Sequence, residues 1–169
     1  MSSLKIYKIK ESYVRFLHGC DSRVLLNKGQ RRPYVGVVLT VGSYRYFVPM
    51  ESPKPSHAVL KPSVFIMPIE RGQYGILGFN NMIPVAPGAL ISFDISEEND
   101  TKYAALLRRQ AAFINQHKSD VYSRASKTYY RATTKTKDNF FRKVCCDFKK
   151  LERACDDYDP NYRPPRKNT

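Results

Sequence analysis

Ser52, Lys54 and His57 fall within six residues of one another, in the stretch Met50-Glu51-Ser52-Pro53-Lys54-Pro55-Ser56-His57. A hydroxyl, an ammonium and an imidazole held close together suit hydrogen bonding to, charge stabilisation of and proton transfer with a phosphate ester. Three prolines between Pro49 and Pro55 remove ladder donors and stiffen the backbone, so the stretch is an extended loop with restricted side-chain positions. A polar Pro-rich loop can equally be a plain connection. Arg32, at the start of the preceding strand, is placed to add a forked cation.

Net charge weighs on the choice. Lysine and arginine number 29 against 15 acidic residues, giving +14 and an isoelectric point near 9.7. Such a surplus attracts polyanions, nucleic acid or an anionic membrane face. No segment approaches the roughly 20 apolar residues that span a bilayer, and the start MSSLKIYKIK lacks the apolar core of a signal peptide. A soluble, cytoplasmic protein is expected, with no membrane partner. Cys20, Cys145, Cys146 and Cys155 form no CxxC pair, which reads as reduced thiols and not a zinc site.

The positioning elements follow from patterning. Leu4 to Ile9 alternates as a first strand; Ser12 is a candidate N-cap for a short helix, Tyr13 to Leu17, ended at Gly19; Cys20 to Gln30 reads as a loop. Tyr34 to Val41 and Tyr44 to Val48 flank Gly42-Ser43 as a β-hairpin. Short strands follow at Val64 to Ile69, Ile76 to Phe79, Met82 to Val85 and Ala89 to Ile95, broken by Pro and Gly at close intervals, the pattern of a small, strongly bent barrel or sandwich.

From Ser96 the period becomes helical. Glu97 to Asp100 supplies acids for a helix N-terminus, and the helix runs to His117. Ser119 and Asp120 are candidate caps for a second helix to about Thr134, and a third is expected from Asn139 to Cys155. The expected class is α+β: one domain with a β-barrel core over about 1–95, a helical extension over about 96–158 packed on it, and a basic Pro-containing tail over 159–169.

Between Lys118 and Lys150 there are ten lysines and arginines against three aspartates, with Tyr122, Tyr129 and Tyr130 interleaved. That suits phosphate contact with base stacking, or a solvated face with tyrosines packing inward. Arg31, Lys61, Arg108, Lys118, Arg124, Lys127, Arg131 and Lys135 are the candidate RNA-contacting cations, and Arg124, Lys127 and Arg131, three and four apart, would share one helix face.

There is no GxSxG elbow, phosphate-binding Gly loop, HExxH or Rossmann fingerprint, and no carboxylate set for a two-metal nuclease. No cofactor or metal is expected. Cleavage of RNA without metal needs a group to take the 2′-OH proton, cations for the phosphorane-like transition state and a proton for the 5′-oxygen. Arg32, Ser52, Lys54 and His57 can supply these, His57 either as acid–base or as a brace for the loop.

The succession PYVGVVL, YFVPMESPKP, LGFNNMIPV and TKYAALLRRQAAFIN, preceded by LKIYKIKESYVRFL, resembles the ToxN/AbiQ family of type III toxin–antitoxin endoribonucleases, and its CptN branch in particular. The resemblance implies a MazF/Kid-like barrel with added helices. It implies metal-independent cleavage of cellular and phage RNA, leaving 2′,3′-cyclic phosphate and 5′-OH ends. It further implies inhibition by a repeated RNA pseudoknot antitoxin in a closed cyclic protein–RNA assembly, serving phage defence by abortive infection. The family's Ser-Pro-Lys loop falls on Ser52-Pro53-Lys54, with Glu51 where a threonine is usual and Arg32 where a lysine is usual; Tyr13 matches a family tyrosine on the first helix. The alternative from a different class is a non-catalytic RNA-binding module on the same surface.

Overall fold

A computed structural model describes residues 3–134 and 140–161. Strand β1 (Lys5–Ile9) is followed by helix α1 (Glu11–Cys20), the hairpin strands β2 (Tyr34–Val41) and β3 (Tyr44–Glu51), and a 3₁₀ turn over Pro55–Val59. Strands β4 (Ile66–Pro68), β5 (Ile76–Gly78), β6 (Ile83–Pro84) and β7 (Leu90–Ser92) come next, then helices α2 (Thr101–Gln116), α3 (Lys118–Thr133), α4 (Phe140–Val144) and α5 (Phe148–Asp156).

The strands form one antiparallel sheet in the order β4-β5-β3-β2-β1-β7, with β6 added to β3. Among the described residues the sheet is not closed: β4 and β7 remain its two ends, so the expected barrel stands as an open sheet. The β2–β3 register runs from Val41↔Tyr44 to Tyr34↔Pro49, with an irregularity between Val35 and Leu39, and Gly42 at φ +57° occupies the two-residue loop. β3 is the hub. It pairs with β2 along most of its length, with β6 at Tyr46 and Phe47, and with β5 at Met50 and Glu51, and Tyr46 to Met50 are buried.

One apolar cluster runs from Leu4, just before β1, and Ile6 on it through Phe47 and Val48 to Val121, Phe148 and Leu151 on the helices, so the helical half packs on the sheet. No helix among the described residues is long and apolar enough to cross a membrane.

The helix boundaries depart from expectation where tertiary partners outweigh local signals. α1 starts at Glu11 without a Ser12 side-chain cap and continues through Gly19, because Tyr13, Val14 and Leu17 bury a complete stripe. α3 begins at Lys118 with no side-chain cap; Asp120 instead binds Arg124. The single helix expected from Asn139 to Cys155 is two. Cys146 leaves the helical ladder to donate its N–H to Asn80 O at 2.9 Å, and Asp147 opens α5 by accepting from Lys150 N at 3.2 Å. Residue 139 and the tail beyond 161 lie outside the described residues. Cys145 and Cys146 are buried free thiols, as their spacing suggested.

The α4–α5 break is fastened to the first half of the chain by Asp21. This buried carboxylate accepts from Arg23 Nε at 3.0 Å and from the backbone N–H of Asp147 at 2.6 Å. Burial pushes its pKa up, but the hydrogen bonds from Arg23 and Asp147 outweigh that and hold it below the ordinary aspartate value. Asp21→Asn should cost about 1–3 kcal/mol in urea unfolding at neutral pH. With the folded pKa depressed, the stabilisation is complete above the unfolded value of about 3.9 and is lost as pH falls through the folded one. Variant and wild type should therefore converge in acid, and a difference independent of pH down to that range would refute the ion-pair account.

Candidate active site

The chain that leads into the hairpin is pinned before it arrives. Asn27 is buried, donates from Nδ2 to Ile9 O at 2.7 Å, and offers its own carbonyl to the N–H groups of Arg31 and Arg32 at 3.0 and 3.2 Å. The intervening turn uses left-handed backbone at Lys28, Gly29 and Gln30. Arg32 Nε then donates to Leu26 O at 3.1 Å, which orients the guanidinium. Beside it, Met50 N donates to Pro33 O at 3.0 Å, and so the end of β3 lies against the two arginines.

Past β3, Glu51 to Lys54 continue into the 3₁₀ turn. Lys54 and His57 close it reciprocally: His57 N donates to Lys54 O at 2.9 Å, and Lys54 N donates to His57 Nδ1 at 3.2 Å. Accepting at Nδ1 leaves the ring proton of the neutral imidazole on Nε2, which lies 3.8 Å from Glu51 Oε2. The imidazole is buried, while Ser52 and Lys54 are exposed. Two glycines support the loop from beneath. A Cβ on Gly72 would sit 2.2 Å from His57 O, and one on Gly75 would sit 2.0 Å from Glu51 O; both residues have positive φ, +86° and +92°.

These segments enclose a cavity of about 450 Å³. It is lined by Arg31, Arg32, Met50, Glu51, Ser52 and Lys54 together with Lys8, Lys28, Pro33, Glu98, Asp100 and Tyr103. The structure thus brings together the expected Arg31, Arg32, Glu51, Ser52 and Lys54. His57 is not among the lining residues and lies behind the loop as its brace. Lys8 on β1, Lys28 in the irregular loop and Glu98, Asp100 and Tyr103 at the start of α2 went unnoticed in the sequence. Their only local signals were an outward-facing strand position and a helix start, neither of which points to a cavity.

Other expected contacts are placed elsewhere. Tyr13 is fully buried and its hydroxyl donates to Pro84 O at 2.5 Å, so it is a core residue and not an RNA contact. Arg124 is bound by Asp120 and by the carbonyls of Ser63 and Ile66, tying α3 to the chain before β4. It is therefore not a free cation in line with Lys127 and Arg131. Arg131 lies over the Phe141 ring, 5.4 Å from its centroid, and Tyr129 is buried against the core. Lys61, Arg108 and Lys127 are exposed and Lys118 is half-buried, all outside the cavity. Lys135 lies outside the described residues. Among the described residues no cluster of three His, Cys, Asp or Glu could hold a metal ion.

The support from beneath can be tested. Gly75→Ala should shift the loop and strain its backbone by about 1–3 kcal/mol, lowering whatever activity Ser52 and Lys54 carry, as seen by comparing melting temperature with activity. His57→Gln should lower activity without moving the pH–rate profile; loss of an ionisation near neutrality from that profile would instead make the imidazole a proton-transfer group. Arg124→Ala should lower stability by about 1–3 kcal/mol, because the Ser63 and Ile66 carbonyls and the Asp120 carboxylate lose their shared donor.

Comparison with known proteins bears directly on this site. Residues 5–156 match the family model described as toxin ToxN of the type III toxin–antitoxin system. Endoribonuclease ToxN of Bacillus thuringiensis subsp. kurstaki is 33% identical over 162 residues, covering 91% of this chain and 84% of that protein. A solved structure from work on selective toxin inhibition by a non-coding RNA pseudoknot superposes with a TM-score of 0.83 at 31% identity, covering 93% of this chain and 98% of the other. The structure of AbiQ, a lactococcal anti-phage endoribonuclease of the type III system, superposes with a TM-score of 0.80 at 25% identity, covering 92% and 97%. With a match spanning nearly the whole chain, including the loop that carries Ser52 and Lys54, the chain belongs to the ToxN family of type III toxin–antitoxin proteins.

Proposed function

We propose that this chain is the endoribonuclease toxin of a type III toxin–antitoxin system, a single folded unit acting in the cytoplasm. The observation that carries the proposal is the convergence of Arg32, Glu51, Ser52 and Lys54 on one cavity, on a fold shared with endoribonucleases of the same family. Arg31 and Arg32 draw the scissile phosphate in, and the Arg32 fork and Lys54 ammonium stabilise the charge that develops on the phosphorane oxygens. The Ser52 hydroxyl donates a further hydrogen bond. Glu51 takes the 2′-OH proton as the 2′-oxygen attacks phosphorus, and Lys54 protonates the departing 5′-oxygen. The products are a 2′,3′-cyclic phosphate and a 5′-hydroxyl, formed without metal. DNA lacks the 2′-OH and is not a substrate.

The partner that restrains this activity is a repeated RNA pseudoknot antitoxin, in a closed cyclic protein–RNA assembly in which the RNA occupies the cavity and follows exposed cations such as Lys61, Arg108 and Lys127. The sheet corresponds to the MazF/Kid-like barrel with its edges opened. Release of the toxin on infection exposes cellular and phage RNA to cleavage.

Incubating the purified chain with end-labelled RNA and EDTA tests the reading. Cyclic-phosphate ends are expected; intact RNA in a tight complex would favour the non-catalytic module. Ser52→Ala and Lys54→Ala should each slow cleavage by roughly a hundred- to thousandfold and abolish toxicity without lowering the melting temperature, because both side chains are exposed. Wild-type cleavage by Lys54→Ala would remove that residue from the chemistry.

A further inference from the structure

The cations and most of the acids that line the cavity come from different segments. Lys8, Lys28, Arg31, Arg32 and Lys54 arrive from β1, the loop after α1 and the loop after β3, whereas Glu98, Asp100 and the aromatic Tyr103 arrive together at the start of α2. A phosphodiester is drawn to the first group and repelled by the second, so a nucleotide entering the cavity is polarised. Its phosphate belongs with the arginines and its base belongs at α2.

We propose that Glu98 and Tyr103 form a base-reading subsite, with Tyr103 as the stacking platform and Glu98 as a hydrogen-bond acceptor for a base that carries an exocyclic amine. This rests on the endoribonuclease reading and adds the source of its sequence preference. The roles of the residues are set by what already occupies them. Asp100 Oδ1 accepts from the N–H groups of Lys102 and Tyr103 at 3.1 Å each, capping α2 and fixing its first turn. Glu98 Oε1 accepts from Asp100 N at 3.2 Å, which holds the carboxylate in place and leaves the second oxygen to accept from a ligand. Tyr103 is half-buried, which makes its ring a fixed surface. Burial first, and the neighbouring Glu98 carboxylate second, push its phenol pKa up, so the ring stays neutral beside the acid.

A carboxylate only accepts hydrogen bonds. Adenine, cytosine and guanine each present an exocyclic amine to it, whereas uracil has no amine and offers a carboxylate only its N3–H, flanked on both sides by carbonyl oxygens that oppose it. The subsite therefore selects against uridine at one position next to the cut. Stacking on Tyr103 is indifferent to the base and contributes affinity.

The test is cleavage, in EDTA, of short RNAs differing only at the nucleotides flanking the cut, by wild type, Glu98→Gln, Tyr103→Phe and Tyr103→Leu, with folding checked by circular dichroism. Wild type should disfavour uridine at one flanking position by roughly tenfold or more. Glu98→Gln, whose amide can also donate, should erase that difference while cleaving amine-bearing substrates. Tyr103→Phe should behave as wild type, and Tyr103→Leu should raise KM about tenfold with a smaller change in kcat. An unchanged base preference in Glu98→Gln overturns the proposal, whether kcat is retained, as for a solvated wall, or lost, as for a proton-transfer residue. If wild type leaves every RNA intact, the endoribonuclease reading falls separately. Binding of the same RNAs then decides the subsite: equal affinity for the uridine and amine-bearing forms overturns it, and a uridine deficit cancelled by Glu98→Gln supports it.

Discussion

The carboxylate of Glu152 is the point to which the two halves of the fold are fastened. It is buried, and it accepts from the hydroxyl of Tyr46 on β3 at 3.0 Å and from that of Tyr129 on α3 at 2.7 Å, while Lys149 Nζ stands 3.6 Å away. Taking a carboxylate out of water costs several kcal/mol unless donors replace the lost hydration, and two phenols and an ammonium do so here. Around them the rings of Tyr46, Tyr129 and Phe148 pack within 5.7 Å centroid to centroid, edge-on in two pairs and stacked in the third. Desolvation first and Glu152 second drive the Tyr46 phenol far above its ordinary pKa, so it remains a donor. One acid thus joins β3, α3 and α5, and the strand it grips is the one that ends at the cavity.

From that anchored strand the order of the Glu51–His57 loop follows by short steps. β3 is paired on both edges and buried to Met50, so the position of Glu51 is set by the ladder with β5. Ser52 and Lys54 alternate with Pro53 and Pro55, whose rings fix the backbone between them. The Lys54–His57 pair then closes the turn with two hydrogen bonds, and Gly72 and Gly75 let the β4–β5 connection press directly on its carbonyls. Donors held this way need not reorganise as charge develops on a phosphorus centre, which is where most of the rate advantage of such a site arises. The buried imidazole holds the turn closed through its Nδ1, which accepts from Lys54 N.

What could be read from the chain beforehand was local. The hairpin was visible because Tyr34 to Val48 alternates around Gly42-Ser43, and the loop because prolines punctuate it. Ser52 and Lys54 were singled out by their types and by the match to the family's Ser-Pro-Lys loop, and Arg32 by its place just before the strand, and the structure sets all three around one cavity. Lys8, Lys28, Glu98 and Tyr103 were not, because their meeting depends on Asn27 folding the irregular loop onto β1 and on where α2 begins. Tyr13 and Arg124 illustrate the opposite error. Each has the right side chain for RNA, but the Pro84 carbonyl satisfies the first, and the Ser63 and Ile66 carbonyls with Asp120 satisfy the second. The helix break at Cys145–Asp147 was equally hidden, since the amphipathic stripe continues across it while the Asn80 carbonyl and Asp21 carboxylate pull the backbone away.

The same distinction separates how tightly an RNA is held from how it would be cut. A net charge of +14 is spread over the whole molecule, yet part of it is internally committed: Arg23 to Asp21, Arg124 to Asp120 and two carbonyls, Lys149 to Glu152. Those cations hold the fold together and contribute little to counterion release. Exposed cations such as Lys61, Arg108 and Lys127 remain open to a polyanion, and each phosphate that such a cation neutralises steepens the salt dependence of binding. The cavity mixes five cations with three acids, an arrangement that lowers raw affinity for a polyanion but would orient a nucleotide entering it. Under the proposed function, affinity would then reside on the outer surface, where it can be titrated with salt, and orientation inside. An inhibitor that must hold the toxin firmly without being consumed has reason to engage both, gripping the outer cations along its length while filling the cavity with a nucleotide whose phosphate is out of line for attack.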